Sequence, residues 1–254
     1  MNIYVLVKQT FDTEEKIVLR DGLIDDQGVK YVINPYDEYA VEEALLQRDQ
    51  HGGQVFVIAV GPSRMQDALR TALAMGADEA ILIHDEQIPQ DEYSIAKVLA
   101  SYLSKQSVDL LLGGNFSVDS GGGQVAIRTA QLLGIAHASS ITSLAISGSQ
   151  ATVVRDAEGD SETLDVSLPA LFTAQQGLNE PRYPSLPGIM KAKKKPFTEL
   201  SLADLGLSVA DISPKTKQIS LHLPPKRQAG QILSGDTREQ SLKLASIIAN
   251  VRGN

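Results

Sequence analysis

Residues 54–83 read QVFVIAVGPSRMQDALRTALAMGADEAILI. Gln54 to Val60 is a short apolar run closed by Gly61-Pro62 and reads as a strand. Arg64 to Met75 follows with helical composition, places Leu69, Ala72 and Leu73 on one face, and stops at Gly76. Ala80 to Ile83 is a second short apolar run. Strand, helix and strand within 30 residues predict a parallel crossover unit.

Working outward, the same alternation continues on both sides. Upstream, Ile3 to Val7 reads as a strand and Pro35 to Gln50 as a helix, with Asn34 at the N-cap and Pro35 at the first helical position. Downstream come a helix from Asp91 to Lys105, a strand from Val108 to Leu112, and a loop from Gly121 running into a helix that ends at Gly134. The expected fold class is α/β, a parallel sheet flanked by helices in a Rossmann-like nucleotide-binding domain. From residue 140 the pattern turns β-rich: Ser140 to Ile146, Ala151 to Val154, Glu162 to Val166 and Leu171 to Ala174 form a small β addition. The expected division is 1–190 for the α/β domain with its β addition, including an exposed loop at about 176–190, and 191–254 for an extended C-terminal arm. The arm carries Pro196, Pro214, Pro224 and Pro225, shows no strong period until a helix near 238–251, and has too little core to stand alone. A partner protein is expected beneath it.

Composition bounds the function. The 254 residues are 43% hydrophobic, with a formal charge of −8. A net acidic chain is a poor general nucleic-acid binder, because neutralising phosphates needs a basic face. The absence of cysteine excludes disulfides, thiolate metal ligands and cysteine nucleophiles. The N-terminal MNIYVLVKQTFDTEE lacks the features of a signal peptide, and no apolar run approaches the ~18 residues of a membrane span. The expectation is a soluble cytoplasmic protein without membrane insertion. His51, His84, His137 and His222 are scattered singly, with no metal-ligand spacing. Nor is there a G-x-S-x-G elbow around any serine.

Three stretches carry candidate chemistry. In VDLLLGGNFSVDSGGGQVAIRTAQLLG (108–134) a strand feeds a glycine loop and then a helix, an arrangement whose backbone amides and helix dipole favour phosphate. Ser117, Ser120 and Gln124 could add hydrogen bonds. It is neither a Walker loop nor the G-x-G-x-x-G fingerprint, and a plain flexible turn is the alternative. In INPYDEYAVEEALLQ (33–47), Asn34 caps a helix or contacts an adenine edge or ribose. In QGLNEPRYPSLPGIM (176–190), followed by KAKKK, Asn179, Pro181, Pro184 and Pro187 are expected to keep the chain out of regular helix and sheet. Apolar Leu186, Ile189 and Met190 then stand on a stiff exposed segment, suited to a partner's pocket. The lysines would steer an acidic partner; an internal connection with a solvated lysine tail is the alternative.

These stretches together resemble the β subunit of electron transfer flavoprotein. The likeness covers nearly the whole chain and is carried by VLVKQTFD, NPYDEYAVEEAL, VGPSRMQDALRTALAMGADEAILI, SVDSGGGQV and LPALFTAQQGLNEPRYPSLPGIMKAKKKP. The resemblance implies a heterodimer with an α subunit that holds most of an FAD, while the β subunit binds AMP as a structural nucleotide. It implies an electron carrier rather than an enzyme, taking electrons from acyl-CoA and related dehydrogenases, as in fatty acid β-oxidation, and passing them to a membrane quinone oxidoreductase. In electron-bifurcating members a second FAD occupies the β-subunit site, which is the alternative function.

Carried over by motif, the nucleotide site comprises Leu6, Val7, Lys8, Asn34, Val60, Asp119, Ser120, Gly121, Gly122, Gly123, Gln124 and Val125. Thr13 and Tyr36 fall near the partner's flavin. Dehydrogenase recognition maps to Tyr183, Leu186, Pro187, Ile189, Met190, Lys191, Lys193, Lys194 and Lys195, with Leu186 at the family's anchoring leucine. The loop departs from the family at Gly121, Gly122 and Ala126, where an acid, a threonine and a glycine are expected. Its Gln124-Val125 pair resembles the bifurcating pattern.

Overall fold

A computed structural model describes residues 1–227 and 229–252. In chain order its strands are β1 (Asn2–Leu6), β2 (Gln9–Phe11), β3 (Leu19–Arg20), β4 (Leu23–Ile24), β5 (Tyr31–Ile33), β6 (Gln54–Val60), β7 (Glu79–Ile83), β8 (Leu110–Gly114), β9 (Ala136–Ser147), β10 (Gln150–Ala157), β11 (Asp160–Ser167), β12 (Ala170–Ala174) and β13 (Phe197–Leu200). The α-helices are α1 (Pro35–His51), α2 (Gln66–Met75), α3 (Glu92–Leu103), α4 (Val125–Leu133), α5 (Leu186–Ala192), α6 (Leu202–Leu205) and α7 (Thr237–Arg252).

Nine strands form one sheet in the order β11-β10-β9-β12-β8-β1-β6-β7-β13. From β9 to β13 every pairing is parallel; β10 joins β9 and β11 antiparallel. The α/β expectation therefore holds, and the β addition extends the main sheet instead of forming a separate one. Burial explains the unbroken apolar runs. Ile3 and Val5 point into one core with Leu45, Leu69, Leu73, Leu110 and Phe172. Tyr4 and Leu6 point into the other with Ile81, Val98, Leu99, Leu103 and Leu111. A strand buried on both faces has no polar alternation to show.

Two features depart from the sequence reading. Pro187 does not interrupt a helix; it sits at the second residue of α5, whose cap is the Ser185 hydroxyl accepting from the Gly188 amide at 3.1 Å. A first-turn residue has no intrahelical acceptor for its N–H, so proline costs nothing there. The second departure concerns the tail. β13 pairs in parallel with β7, and α6 and a short 3-10 turn (Val209–Ile212) bury Leu202, Leu205 and Ile212. The first compact unit thus comprises Met1–Val18 and Asp25–Ile219, so residues 191–219 belong with the α/β domain and the second unit takes up the chain at 220. A four-residue edge strand leaves no readable period. The second unit consists of Leu19–Ile24, a two-strand ribbon of β3 and β4, with Ser220–Asn254, of which α7 is the regular element among the described residues.

Candidate functional site

The chain runs β1 to β6 to β7 on one side of the sheet centre, then returns to place β8 on the other side of β1. The strands stay paired to Leu6 and Gly113, but the helices that follow them, α1 and α4, pack on opposite faces of the sheet. Such switch points open the crevice where α/β folds hold ligands. A cleft of about 220 Å³ lies here. Its apolar wall includes Leu6, Ile58, Val60, Met65, Ile95 and Leu99, and its polar side includes Lys8, Asn34, Ser117, Ser120 and Gln124.

The start of α4 opens into this cleft. Gln124 stands at its N-cap, but the side chain does not cap the helix, because the Gln124 Oε1 is engaged by Arg128 at 2.6 and 3.0 Å. By contrast, α3 is capped by Asp91 and α5 by Ser185. The first-turn amides of α4 are thus left to an outside acceptor, at the positive end of the helix dipole. Gly121 (φ 66°) and Gly123 (φ 58°) take left-handed conformations that bring the loop to this helix.

Lys8 reaches across from the end of β1. Its Nζ lies 2.7 Å from Asp119 Oδ1 and 3.2 Å from Ser117 Oγ. Burial would raise the Asp119 carboxyl, but hydrogen bonds from Lys8 and Ser117 outweigh it and hold the group below its ordinary value. Asn34 is 1% exposed, lines the cleft and does not cap α1 with its side chain. Its amide donates to Asp37 Oδ1 and to the Phe116 carbonyl, both at 3.0 Å, and its Oδ1 accepts from Val118 N–H at 3.2 Å. It therefore ties α1 to the glycine loop.

Asp37 is the residue the sequence reading missed. Its fully buried carboxylate accepts the Lys8 amide at 2.7 Å, the Gly114 amide at 3.1 Å and the Asn34 side chain. It thereby joins the ends of β1 and β8 to the first turn of α1. Burial is the largest influence on it and pushes its pKa up to about 7, against three donors that favour the ionised form. The available signal was its position three residues after Asn34, where an acid normally closes a capping box.

Gly114 is fixed by the same junction. A Cβ there would meet the Asp37 carboxylate and lie 2.8 Å from the Tyr36 backbone carbon. Gly114→Ala is expected to lower stability by roughly 1–3 kcal/mol, because backbone cannot yield as a side chain can. Thermal unfolding reads this, and an unchanged Tm would show that α1 has slack at this point.

Of the nucleotide-site residues inferred by resemblance, Leu6, Val7, Lys8, Asn34, Val60, Ser120, Gly122, Gly123, Gln124 and Val125 line the one cleft. Asp119 joins them through Lys8, and Gly121 lies in the same loop. Gln90 and Glu92, before and at the start of α3, also line it and carried no sequence signal. Tyr36 is not among the lining residues, but its ring centroid lies 4.2 Å from that of Phe116, which is. Thr13 lies in an exposed turn outside the cleft.

The 183–195 stretch forms a second surface. Tyr183 (94% exposed), Leu186 (78%) and Met190 (72%) stand out from it, with Ile189 partly covered. Lys191, Lys193 and Lys194 are exposed. Lys195 points inward and donates to the carbonyls of Leu73 (3.0 Å) and Ala77 at the end of α2. Burial lowers its pKa. Lys195 therefore caps a helix, and the charge offered to solvent comes from the other three. Among the described residues no group of three or more His, Cys, Asp or Glu could hold a metal. No helix there is long and apolar enough to cross a membrane.

Comparison with known proteins places this geometry. Residues 21–205 match the model of the electron transfer flavoprotein domain. The chain is 54% identical over 250 residues to the electron transfer flavoprotein subunit beta of Bacillus subtilis, covering 98% of this chain and 97% of that one. It is 40% identical to the subunit of the same name from Syntrophomonas wolfei, covering 98% and 96%. The human subunit is 38% identical, with 91% of each covered. A match of this extent, on a parallel sheet with its cleft at the switch point, leads to one conclusion: the chain belongs to the electron transfer flavoprotein β-subunit family.

Proposed function

We propose that this chain is the β subunit of a heterodimeric electron carrier. On this reading an electron transfer flavoprotein α subunit holds most of the FAD, and the switch-point cleft of this chain holds AMP. Electrons arrive from acyl-CoA and related dehydrogenases and leave to a membrane quinone oxidoreductase. The observation that carries the nucleotide is the uncapped N-terminus of α4 opening into the cleft. Its amides suit a phosphate, the apolar wall from Leu6 to Leu99 suits a base, and Lys8 supplies a cation at the mouth. Glu92 offers an acceptor for ribose hydroxyls. The residues present therefore fit a nucleotide, which acts as a structural ligand bracing the loop against β1 and β8.

The flavin, when bound by the partner subunit, supplies the electron-accepting chemistry. This chain's own residues make and break no bond; they bind, orient and exclude water. Support for a partner comes from the tail, where Ile232, Leu242, Leu244 and Val251 are exposed apolar side chains on a segment without a core. Donor recognition falls to Tyr183, Leu186, Ile189 and Met190, with Lys191, Lys193 and Lys194 steering an acidic surface toward them.

A second reading, favoured by the Gln124-Val125 pair, is an electron-bifurcating subunit with a second FAD in the cleft. Co-expression with the α subunit, acid release and chromatography of bound nucleotides separates the two. One FAD and one AMP per heterodimer is the expected result. Two FAD and no AMP would replace the first reading with the second.

A further inference from the structure

The exposed ridge from Tyr183 to Met190 is pinned at both ends. On its far side α5 lies against α2: a Cβ on Gly188 would collide with the Ala74 carbonyl oxygen, and Ala192 is buried, its carbonyl accepting from Arg70 at 2.9 Å. On its near side the fastening is ionic. Glu42, on α1, is 4% exposed. Arg182 grips it with Nε at 2.8 and 3.1 Å, with a terminal nitrogen at 2.8 Å and with its own backbone amide at 3.0 Å. Beside it, Asn179 donates to Glu43 Oε2 at 3.1 Å and to the Tyr39 carbonyl at 3.0 Å. The other oxygen of Glu43 accepts from Gln47 at 2.7 Å.

Burying two adjacent carboxylates on one helix is costly. A loop that needed only to be tethered would manage with exposed contacts. The carboxylates sit on α1, five and six residues beyond Asp37, roughly 7.5–9 Å along the helix axis. The first turn of α1, through Asn34 and Asp37, forms part of the cleft. One rigid helix thus carries the polar floor of the cleft at its start and the root of the exposed ridge a turn and a half later.

We propose that Arg182–Glu42 and Asn179–Glu43 are positioning contacts that hold the apolar ridge in its docking conformation, registered through α1 to the cleft. The inference rests on the reading of Tyr183–Met190 as the donor-docking surface. Its physical basis is preorganisation: side chains ordered during folding are not ordered again on binding, so the association keeps that free energy. The bidentate geometry fixes direction as well as distance, which a lysine cannot do.

The test uses the complete α/β complex carrying its bound nucleotides. The double variant Glu42→Gln/Arg182→Gln removes the ionic grip without leaving a buried charge alone, and Leu186→Ala serves as the reference for docking itself. The measurement is reduction of the complex by an acyl-CoA dehydrogenase at varied complex concentration. The double variant should raise KM about tenfold, the equivalent of one or two side chains left to be ordered on binding, with kcat and nucleotide content unchanged. Arg182→Lys, which leaves Glu42 a cationic partner, should raise KM by less, and it stands in if the neutral pair fails to fold. A wild-type KM in the clamp variants, with KM raised in Leu186→Ala, would overturn the positioning role and leave the docking surface standing. A wild-type KM in all of them would remove the docking surface and this inference together.

Discussion

Asp37→Ala is expected to cost about 2–4 kcal/mol of folding stability and to strip the cleft of its nucleotide. The carboxylate receives two backbone amides, from Lys8 and Gly114, in a fully buried position. Alanine leaves both backbone donors, and one of the two Asn34 amide N–H groups, without an acceptor, and each buried orphan costs roughly 1–3 kcal/mol. Part of that is returned because a buried carboxyl no longer has to be accommodated. Asp37→Asn should be milder: its carbonyl still serves Gly114 and Asn34, while its NH₂ confronts the Lys8 N–H. A pH signature accompanies the loss. Burial holds the folded carboxyl at about 7, above the ~3.9 of an unfolded aspartate, so the folded chain binds the extra proton between those values. Stability should therefore fall as pH rises from about 4 to about 7, and Asp37→Ala should flatten that slope. Chemical denaturation at several pH values reads both effects. Wild-type stability together with an unchanged slope would mean that water satisfies the junction.

Leu186→Ala should slow electron transfer from an acyl-CoA dehydrogenase by roughly thirtyfold, the scale of a central apolar anchor worth about 2 kcal/mol. The side chain is 78% exposed and makes no contribution to the core, so stability and FAD and AMP content should stay at wild-type values. Its neighbours Tyr183 and Met190 are exposed to a similar degree, at 94% and 72%. Rates indistinguishable from wild type would show that the ridge does not dock the donor.

The α/β architecture was legible because β1, β6, β7 and β8 are buried on both faces, and double burial writes itself as runs such as VFVIAV and DLLLGG. The glycine loop was legible for a different reason: the left-handed Gly121 and Gly123 cannot be replaced without strain, so the geometry demanded the residue type. The junction at Asp37 was not legible. Its partners are backbone amides of Lys8 and Gly114, 29 and 77 residues away, and a backbone amide has no letter in a sequence. The same limit hid Lys195, whose acceptors are the carbonyls of Leu73 and Ala77; in the run KAKKK it looks like its neighbours. Pro187 misled because proline's meaning depends on position, breaking a helix from within yet opening one at its second residue.

The nine-stranded sheet ends in two open strands, β11 on one side and β13 on the other. Any such border presents free backbone groups that another molecule could pair with. Here β11 carries Asp160, Glu162 and Asp165 within eight residues, and β13 is four residues long with Glu199 among them. A second copy laid against the long border would set carboxylate beside carboxylate, while the short border offers too few rungs for a lasting ladder. Both borders thus work against edge-to-edge pairing of copies near neutral pH, a protection that weakens as acid neutralises those carboxylates.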